Sequence, residues 1–218
     1  MGKFLPECLP AWVPITLAQL MDHSSAIPNF LELPEMETYH FAPHTPDETI
    51  ALVKDKPLEF QPGTRKHYSS TGYVPSVHHI PHLASLFEKR PGSERVYPAA
   101  PWSQTIHFSG GGMYSTVGDL FRWERALFGG QVLSPHAFTQ VTTGYCNAYG
   151  FGLGIGQLDV HVVYRHIGVV EGFAATMAYV PDTGTTVIVL SNLRSPDAES
   201  LGENLLLASH GGEVKPPF

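Results

Sequence analysis

At Tyr149 the hydrophobic pattern of the chain changes period, and this change limits the architecture more than any other feature. Tyr149-Gly150-Phe151-Gly152-Leu153-Gly154-Ile155-Gly156 alternates a large residue with glycine, the pattern of a strand with one bare face. His161 to His166 reads as a second strand, and Phe173 to Val180 and Thr185 to Leu190 as two more. Pro181-Asp182-Thr183-Gly184 joins the last two as a hairpin loop. Ser195-Pro196 then supplies a cap and a first helical position. The helix it opens carries Leu201, Leu205, Leu206 and Ala208 and stops at Gly211.

Before Tyr149 the punctuation is helical. Residues 1–14 read as an irregular opening segment. A short helix over Ile15 to Met21 cannot continue through Pro28. Residues 29–44 read as a loop. Thr45-Pro46-Asp47-Glu48 is a capping box, and the helix it starts carries Ile50, Leu52 and Val53 and ends before Pro57. Five prolines break residues 74–106, where one short helix over His82 to Glu88 is expected.

Ser115 or Thr116 caps the next helix, whose apolar face is Val117, Leu120, Phe121, Leu127 and Phe128. Glu124 and Arg125 are expected to be solvated, and Gly129-Gly130 ends the helix. Ser134-Pro135 opens another, carrying Ala137, Phe138 and Val141. Helices, then an antiparallel meander, then one covering helix make an α+β fold. The expected organisation is one domain over 1–218, with 1–148 mainly helix and loop and 149–218 strands and a final helix.

Composition excludes several partners. The net charge is −7 with no lysine or arginine run, so no nucleic-acid partner is expected. No apolar run reaches the ~20 residues of a membrane helix, and no membrane partner is expected. Met1 to Cys8 lacks a signal-peptide core, so the chain as written is expected in the cytoplasm. Cys8 and Cys146, the two cysteines, read as reduced thiols.

Chemistry-bearing side chains concentrate in Phe60 to Tyr73. Pro62-Gly63 is turn chemistry, and Tyr68, Ser69 and Ser70 follow at the start of a segment expected to be buried. Tyr68 reads as a buried tyrosine with a bonded hydroxyl or as a site residue. Ser69 and Ser70 read as hydroxyls bonded to backbone. As nucleophiles they would need Tyr68 or His67 as a base. His23 and His107 read as structural. Gly110 to Gly112 precede no lysine at phosphate-loop spacing. In His78-His79-Ile80-Pro81-His82, Pro81 disfavours the helix that would align a metal pair. No cofactor and no metal is expected.

Four stretches, in order, resemble the serine β-lactamase and penicillin-binding-protein superfamily, in its class C-like esterase and peptidase branch. Ile15 to Pro28 is similar to "ITIRHLLTHTSGLP", and Phe60 to Tyr73 to "FxPGTxxxYSNTGY". Gly111 to Leu120 is similar to "GGLYSTAxDL", and His166-Ile167-Gly168 with Glu171-Gly172-Phe173 to "HTGxxPGF". The resemblance implies a β-lactamase/transpeptidase-like fold and acyl transfer by a serine hydrolase on small esters or lactams. It places Tyr68 at the catalytic tyrosine of the Y-x-N motif, with Ser70 where asparagine is usual. His166 and Gly168 fall on the strand that lines the site. Tyr68 and His166 are thus the catalytic candidates, and Ser69, Ser70 and Gly168 the substrate-binding ones.

No lysine of the chain has a serine three residues before it, so the S-x-x-K nucleophile motif is absent. Against the family, the chain is expected to start after that motif and after the first strands. The helical subdomain after Tyr73 is expected to be reduced. Activity is therefore expected to be impaired, and uncovered sheet edge is expected to drive homo-oligomerisation. The alternatives are a non-catalytic binding protein on the same fold and a histidine-bound metal hydrolase.

Overall fold

The computed structural model describes residues 9–73, 84–89, 92–93, 95–99, 110–145, 147–194 and 197–214. The chain divides into two compact units. One comprises 1–79, 102–113 and 144–152; the other comprises 80–101, 114–143 and 153–218.

The first unit is built from short helices and irregular chain around an apolar core of Trp12, Ile15, Ile27, Phe30, Met36 and Val53. Helix α1 (Leu17–Met21) opens with a capping box: Thr16 Oγ1 accepts from the Gln19 amide, and Gln19 Oε1 accepts from the Thr16 amide. It ends where His23 takes a positive φ of 62°, which no continuing helix allows. Residues 29–44 are not a bare loop: they contain a 3-10 turn, Phe30–Glu32, and the one-turn helix α2 (Met36–Tyr39). Helix α3 (Pro46–Ala51) carries the capping box of Thr45 and Glu48.

Two irregular segments of this unit, 22–30 and 59–71, close on each other. The amides of Glu59, Gly63 and His67 donate to the carbonyls of Ala26, Ser24 and His23. Side chains complete the seam. Thr71 Oγ1 donates to the Pro28 carbonyl at 2.8 Å and accepts from the Phe30 amide at 3.1 Å. The Ser70 amide donates to Asn29 Oδ1 at 3.2 Å. Gly63 sits at φ +84°, so the turn requires glycine.

The second unit is a sheet between helices. Strands β3 (Gly154–Leu158), β4 (His161–Val170), β5 (Phe173–Val180) and β6 (Thr185–Ser191) form an antiparallel meander in that order. A second, smaller sheet has the order β2-β1-β7, from β1 (Phe87–Lys89), β2 (Val96–Pro98) and β7 (Leu193–Arg194). β1 runs parallel to β7.

Helix α4 (Val117–Phe128), capped by Thr116, covers one face of the meander. Its Phe128 stacks on Tyr179 at 4.1 Å and Tyr164 at 5.5 Å. Helix α5 (Pro135–Thr142), capped by Ser134, follows it. The last helix, α6 (Asp197–Ser209), covers the other face. There Ala198 and Leu206 meet Val163, Ala174, Ala178, Val187 and Val189. Among the described residues no helix is long and apolar enough to cross a membrane.

Several expectations are corrected. Residues 87–89 are strand, not the end of a helix, because β-sheet partners on both sides outweigh local propensity. Residues 149–153 are not strand. Positive φ at Asn147, Ala148 and Gly152 breaks the extended run, and β3 starts at Gly154. β4 runs on past His166 to Val170, held by its pairing to β5. Helix α3 ends at Ala51, so Leu52 and Val53 follow it. The proposed cap at Ser195-Pro196, both cysteines, His107 and the run His78 to His82 lie outside the described residues.

Glu124 is the sharpest correction. It is 3% exposed, not solvated. It lies four residues after Leu120 and three before Leu127, in the centre of the apolar face. Among the described residues its Oε2 has no hydrogen-bond partner. Burial pushes its pKa up from 4.5 to about 7, and the nearby Thr186 hydroxyl offsets this only in part.

This makes a pH prediction. Below pH 4.5 the carboxyl is protonated in both the folded and the unfolded chain, and its contribution is fully present. As pH rises the unfolded chain ionises first, and stability is lost until about 7. At about 1.4 kcal/mol per pH unit the loss is on the order of 3 kcal/mol. Glu124→Gln should remove this slope. The check is the urea midpoint of both proteins from pH 4 to 8: the variant should overtake the wild type near neutrality, and parallel curves would refute the buried acid.

Candidate active site

In the first unit, the seam between 22–30 and 59–71 sets Tyr68 against His23. The two rings lie 4.2 Å apart at 35°. His23 is itself 3% exposed, and its Nδ1 accepts from the Ser69 amide at 3.3 Å, so the neutral ring carries its proton on Nε2. Tyr149 closes the other side of His23 at 5.3 Å. The Lys66 ammonium lies over the Tyr149 ring, 3.4 Å from its centroid, an attraction worth roughly 1 kcal/mol.

Electrostatics keep both tyrosines protonated. Tyr68 is 44% exposed as a residue, yet burial around its hydroxyl raises its pKa, and the neighbouring Ser70 hydroxyl draws it back only in part. Tyr149 is pushed up to about 12, by burial first and by Tyr68 second. At neutral pH Tyr68 is therefore a proton donor, not a tyrosinate base.

Both serines are buried, and the Ser69 hydroxyl is used by the backbone. Ser69 is 3% exposed and its Oγ donates to the Pro28 carbonyl at 3.4 Å. Ser70 is also buried, its amide on Asn29. His67, the other base considered for them, is held by Glu59 and lies 3.5 Å from Glu32. The hydrogen bond to Glu59 raises its pKa.

In the second unit, His166 and Gly168 are exposed on β4. β3 pairs only with His161 to Arg165. From His166 to Val170, β4 pairs with β5 on one side, and among the described residues no strand pairs with the other. A Cβ on Gly168 would meet only Ala175 Cβ at 3.8 Å, so the glycine leaves open space above the strand. His166 also lines a cavity of about 40 Å³ with Trp123, Glu124 and Met177.

Among the described residues no three His, Cys, Asp or Glu side chains are grouped to hold a metal ion. Sequence reasoning passed over Lys66, Tyr149 and Glu124. Lys66 stands two residues before Tyr68, and Tyr149 was absorbed into the glycine alternation. Glu124 could have been found from its i+4 and i−3 relation to Leu120 and Leu127.

The beta-lactamase family model matches residues 3–80 and 77–211, and the chain belongs to that family. Solved structures agree on the fold. A D-amino acid amidase from Ochrobactrum anthropi SV3 superposes with a TM-score of 0.75 at 18% identity, covering 93% of this chain and 72% of that one. A penicillin binding protein from Bacillus halodurans gives 0.72 at 19%, covering 95% and 76%. An octameric penicillin-binding protein homologue from Pyrococcus abyssi gives 0.75 at 20%, covering 95% and 60%. No curated protein sequence matches the chain. The β-lactamase/transpeptidase-like fold, with antiparallel sheet and flanking helices, is thereby established.

The tyrosine cluster gives a direct test. In an alkaline titration followed by tyrosinate absorbance, wild type minus Tyr149→Phe should show no difference up to pH 11, with a midpoint about 12. A difference appearing near pH 10, the value of a solvated phenol, would contradict the burial of that hydroxyl.

Proposed function

We propose that the chain is a hydrolase of the acyl-transfer type, acting on small esters or lactams, with turnover impaired by the lack of S-x-x-K. The observation that carries this reading is Tyr68. It matches the family's tyrosine by resemblance, its hydroxyl is held protonated by partial burial, and its ring packs at a tilt against a buried histidine. A protonated phenol can donate to the oxygen or leaving group on which charge develops when a carbonyl is attacked. The open edge of β4 from His166 to Gly168 suits an extended acyl group, which strand addition would hold through backbone hydrogen bonds. Structural relatives described as a D-amino acid amidase and as a penicillin binding protein fit this chemistry.

A second reading, a binding protein without chemistry, is favoured by one observation. Both serines of the tyrosine stretch are buried, and the Ser69 hydroxyl is engaged by backbone. Self-association fits either reading, and one relative is described as octameric.

The test is turnover of a chromogenic ester and a cephalosporin, with intact mass measured after a penicillin and after a fluorophosphonate. Slow turnover or a serine adduct is expected. Tyr68→Phe should lower the rate at least about tenfold while leaving the melting temperature near that of wild type. Gly168→Ala, which the fold tolerates, should raise KM. Silent assays with an unmodified mass would overturn the hydrolase, and a penicillin-induced thermal shift in that case would support the binding protein.

A further inference from the structure

His67 is placed so that each nitrogen of its ring meets a carboxylate. Its Nδ1 is hydrogen-bonded to Glu59 Oε2, and its Nε2 lies 3.5 Å from Glu32 Oε2. An imidazolium donates from both nitrogens, whereas a neutral ring donates from one and presents a lone pair at the other. The arrangement therefore suits only the charged ring. In a neutral ring one lone pair would face an anion.

The two carboxylates belong to different parts of the seam. Glu59 opens the segment that carries His67 itself, so its bond closes the loop around the Pro62-Gly63 turn. Inside that loop Thr64 Oγ1 donates to the Gln61 carbonyl at 2.7 Å, and Arg65 Nη2 donates to the Glu59 carbonyl at 3.4 Å. Glu32 ends the 3-10 turn Phe30–Glu32, across the seam. Its other oxygen accepts from Asn29 Nδ2 at 3.1 Å. Asn29 Oδ1 in turn accepts from the amides of Leu31 and Ser70, at 3.3 and 3.2 Å. The Ser70 side chain meets the hydroxyl of Tyr68. A continuous chain of contacts thus runs from His67 through Glu32 and Asn29 to the residues beside Tyr68.

We propose that His67 is a proton-operated latch across the seam: as an imidazolium it ties Glu59 to Glu32, and on losing its proton it keeps Glu59 and releases Glu32. Glu59 is kept because its contact is the closer one. Its side chain is also 28% exposed against 55% for Glu32, so water competes for it less. The proton that leaves is the one on Nε2, and it goes to water. The lone pair left behind repels Glu32 Oε2. Asn29 then holds the Leu31 and Ser70 amides while its own anchor, Glu32, is loose.

The charges acting on the ring are Glu59 and Glu32, which favour the imidazolium, and Arg65, which opposes it. The hydrogen bond to Glu59 is the largest influence, and it raises the pKa against the effect of partial burial. Below the ordinary histidine value of 6.5 the ring is charged with the latch open or closed, and the tie is at full strength. As pH rises through the raised value of the closed latch, the tie is lost. All three side chains are partly exposed, so salt weakens the latch. The inference concerns the setting of Tyr68 and stands whether or not the chain hydrolyses anything.

The test follows the His67 ring nitrogens by NMR and the seam amides by hydrogen exchange, on the full chain from about pH 5 to about pH 8.5. The His67 midpoint should lie above 6.5, and the neutral ring should keep its proton on Nδ1. Glu32→Gln removes the charge at an exposed position and leaves an oxygen for Asn29 Nδ2. It should bring the midpoint down toward 6.5 with a melting temperature near that of wild type. Protection factors, which remove the intrinsic pH dependence of exchange, should fall at least about threefold at the Leu31 and Ser70 amides as pH passes the midpoint. In Glu32→Gln and in His67→Gln they should not change with pH. A midpoint at or below 6.5, or a neutral ring protonated on Nε2, would overturn the latch. So would Leu31 and Ser70 protection that ignores pH in the wild type, or that falls equally in both variants. An equal fall at the Gly63 and His67 amides, whose acceptors are the Ser24 and His23 carbonyls, would overturn it as well, because the seam would then open as one piece and not at Asn29.

Discussion

The seam between residues 22–30 and 59–71 is the constraint on which the first unit depends. Neither segment is regular structure, so their backbone groups cannot satisfy one another as helix or sheet would. Residues 22–30 and 69–71 are buried, and a buried amide or carbonyl without a partner costs on the order of 1–3 kcal/mol. Short polar side chains close the account. Asp22 accepts from the Ser24 amide and hydroxyl, Asn29 from Ser70, and Thr71 bridges the Pro28 carbonyl to the Phe30 amide. His23 and Ala26 hold positive φ to make this possible, a cost that only an over-determined neighbourhood sustains.

The placement of Tyr68 follows from that seam. The His67 amide donates to the His23 carbonyl and the Ser69 amide to the His23 ring. Tyr68, between them in sequence, is carried onto the face of His23. Proton affinity is a consequence of the same packing. The wall of aromatic rings desolvates the phenol, and Lys66 lies over Tyr149. A tyrosine in these surroundings holds its proton at neutral pH, which makes donation, not abstraction, its chemistry.

Much of this was legible in the sequence where the signal was local. The capping box of Thr45 and Glu48, the cap at Thr116 and the limits of β5 follow from residues within one turn of each other. What was not legible depends on distant chain. β1 is strand because it lies between β2 and β7, about a hundred residues apart in sequence. The glycine alternation from Tyr149 looks like strand, but Asn147 and Ala148 turn the chain at positive φ just before it and Gly152 does so within it. Glu124 was read by residue type and not by position. Its place in the helix period said buried, its charge said solvated, and burial won by shifting the proton equilibrium. Of the candidate residues, Tyr68 and Gly168 are legible through motif resemblance, whereas the ring of His23, Tyr149 and Lys66 around Tyr68 is a product of the seam.

The seam also separates what the motif residues do for the fold from what they do for chemistry. The Ser69 and Thr71 hydroxyls both donate to the Pro28 carbonyl of the opposing segment, and that duty needs no nucleophile; Ser70 gives Asn29 only its amide, which any residue but proline would supply. A chain that had lost catalysis would still use the two hydroxyls, because the Pro28 carbonyl would otherwise be buried without them. Resemblance to the family at these positions therefore speaks chiefly about folding. Tyr68 is different. Its hydroxyl closes no backbone group among the described residues, its residue surface is nearly half exposed, and its ring alone would serve the stacking on His23. Phenylalanine would meet the structural need at lower desolvation cost. The hydroxyl meets the Ser70 side chain and not the backbone, so the backbone bonds of the seam do not depend on it.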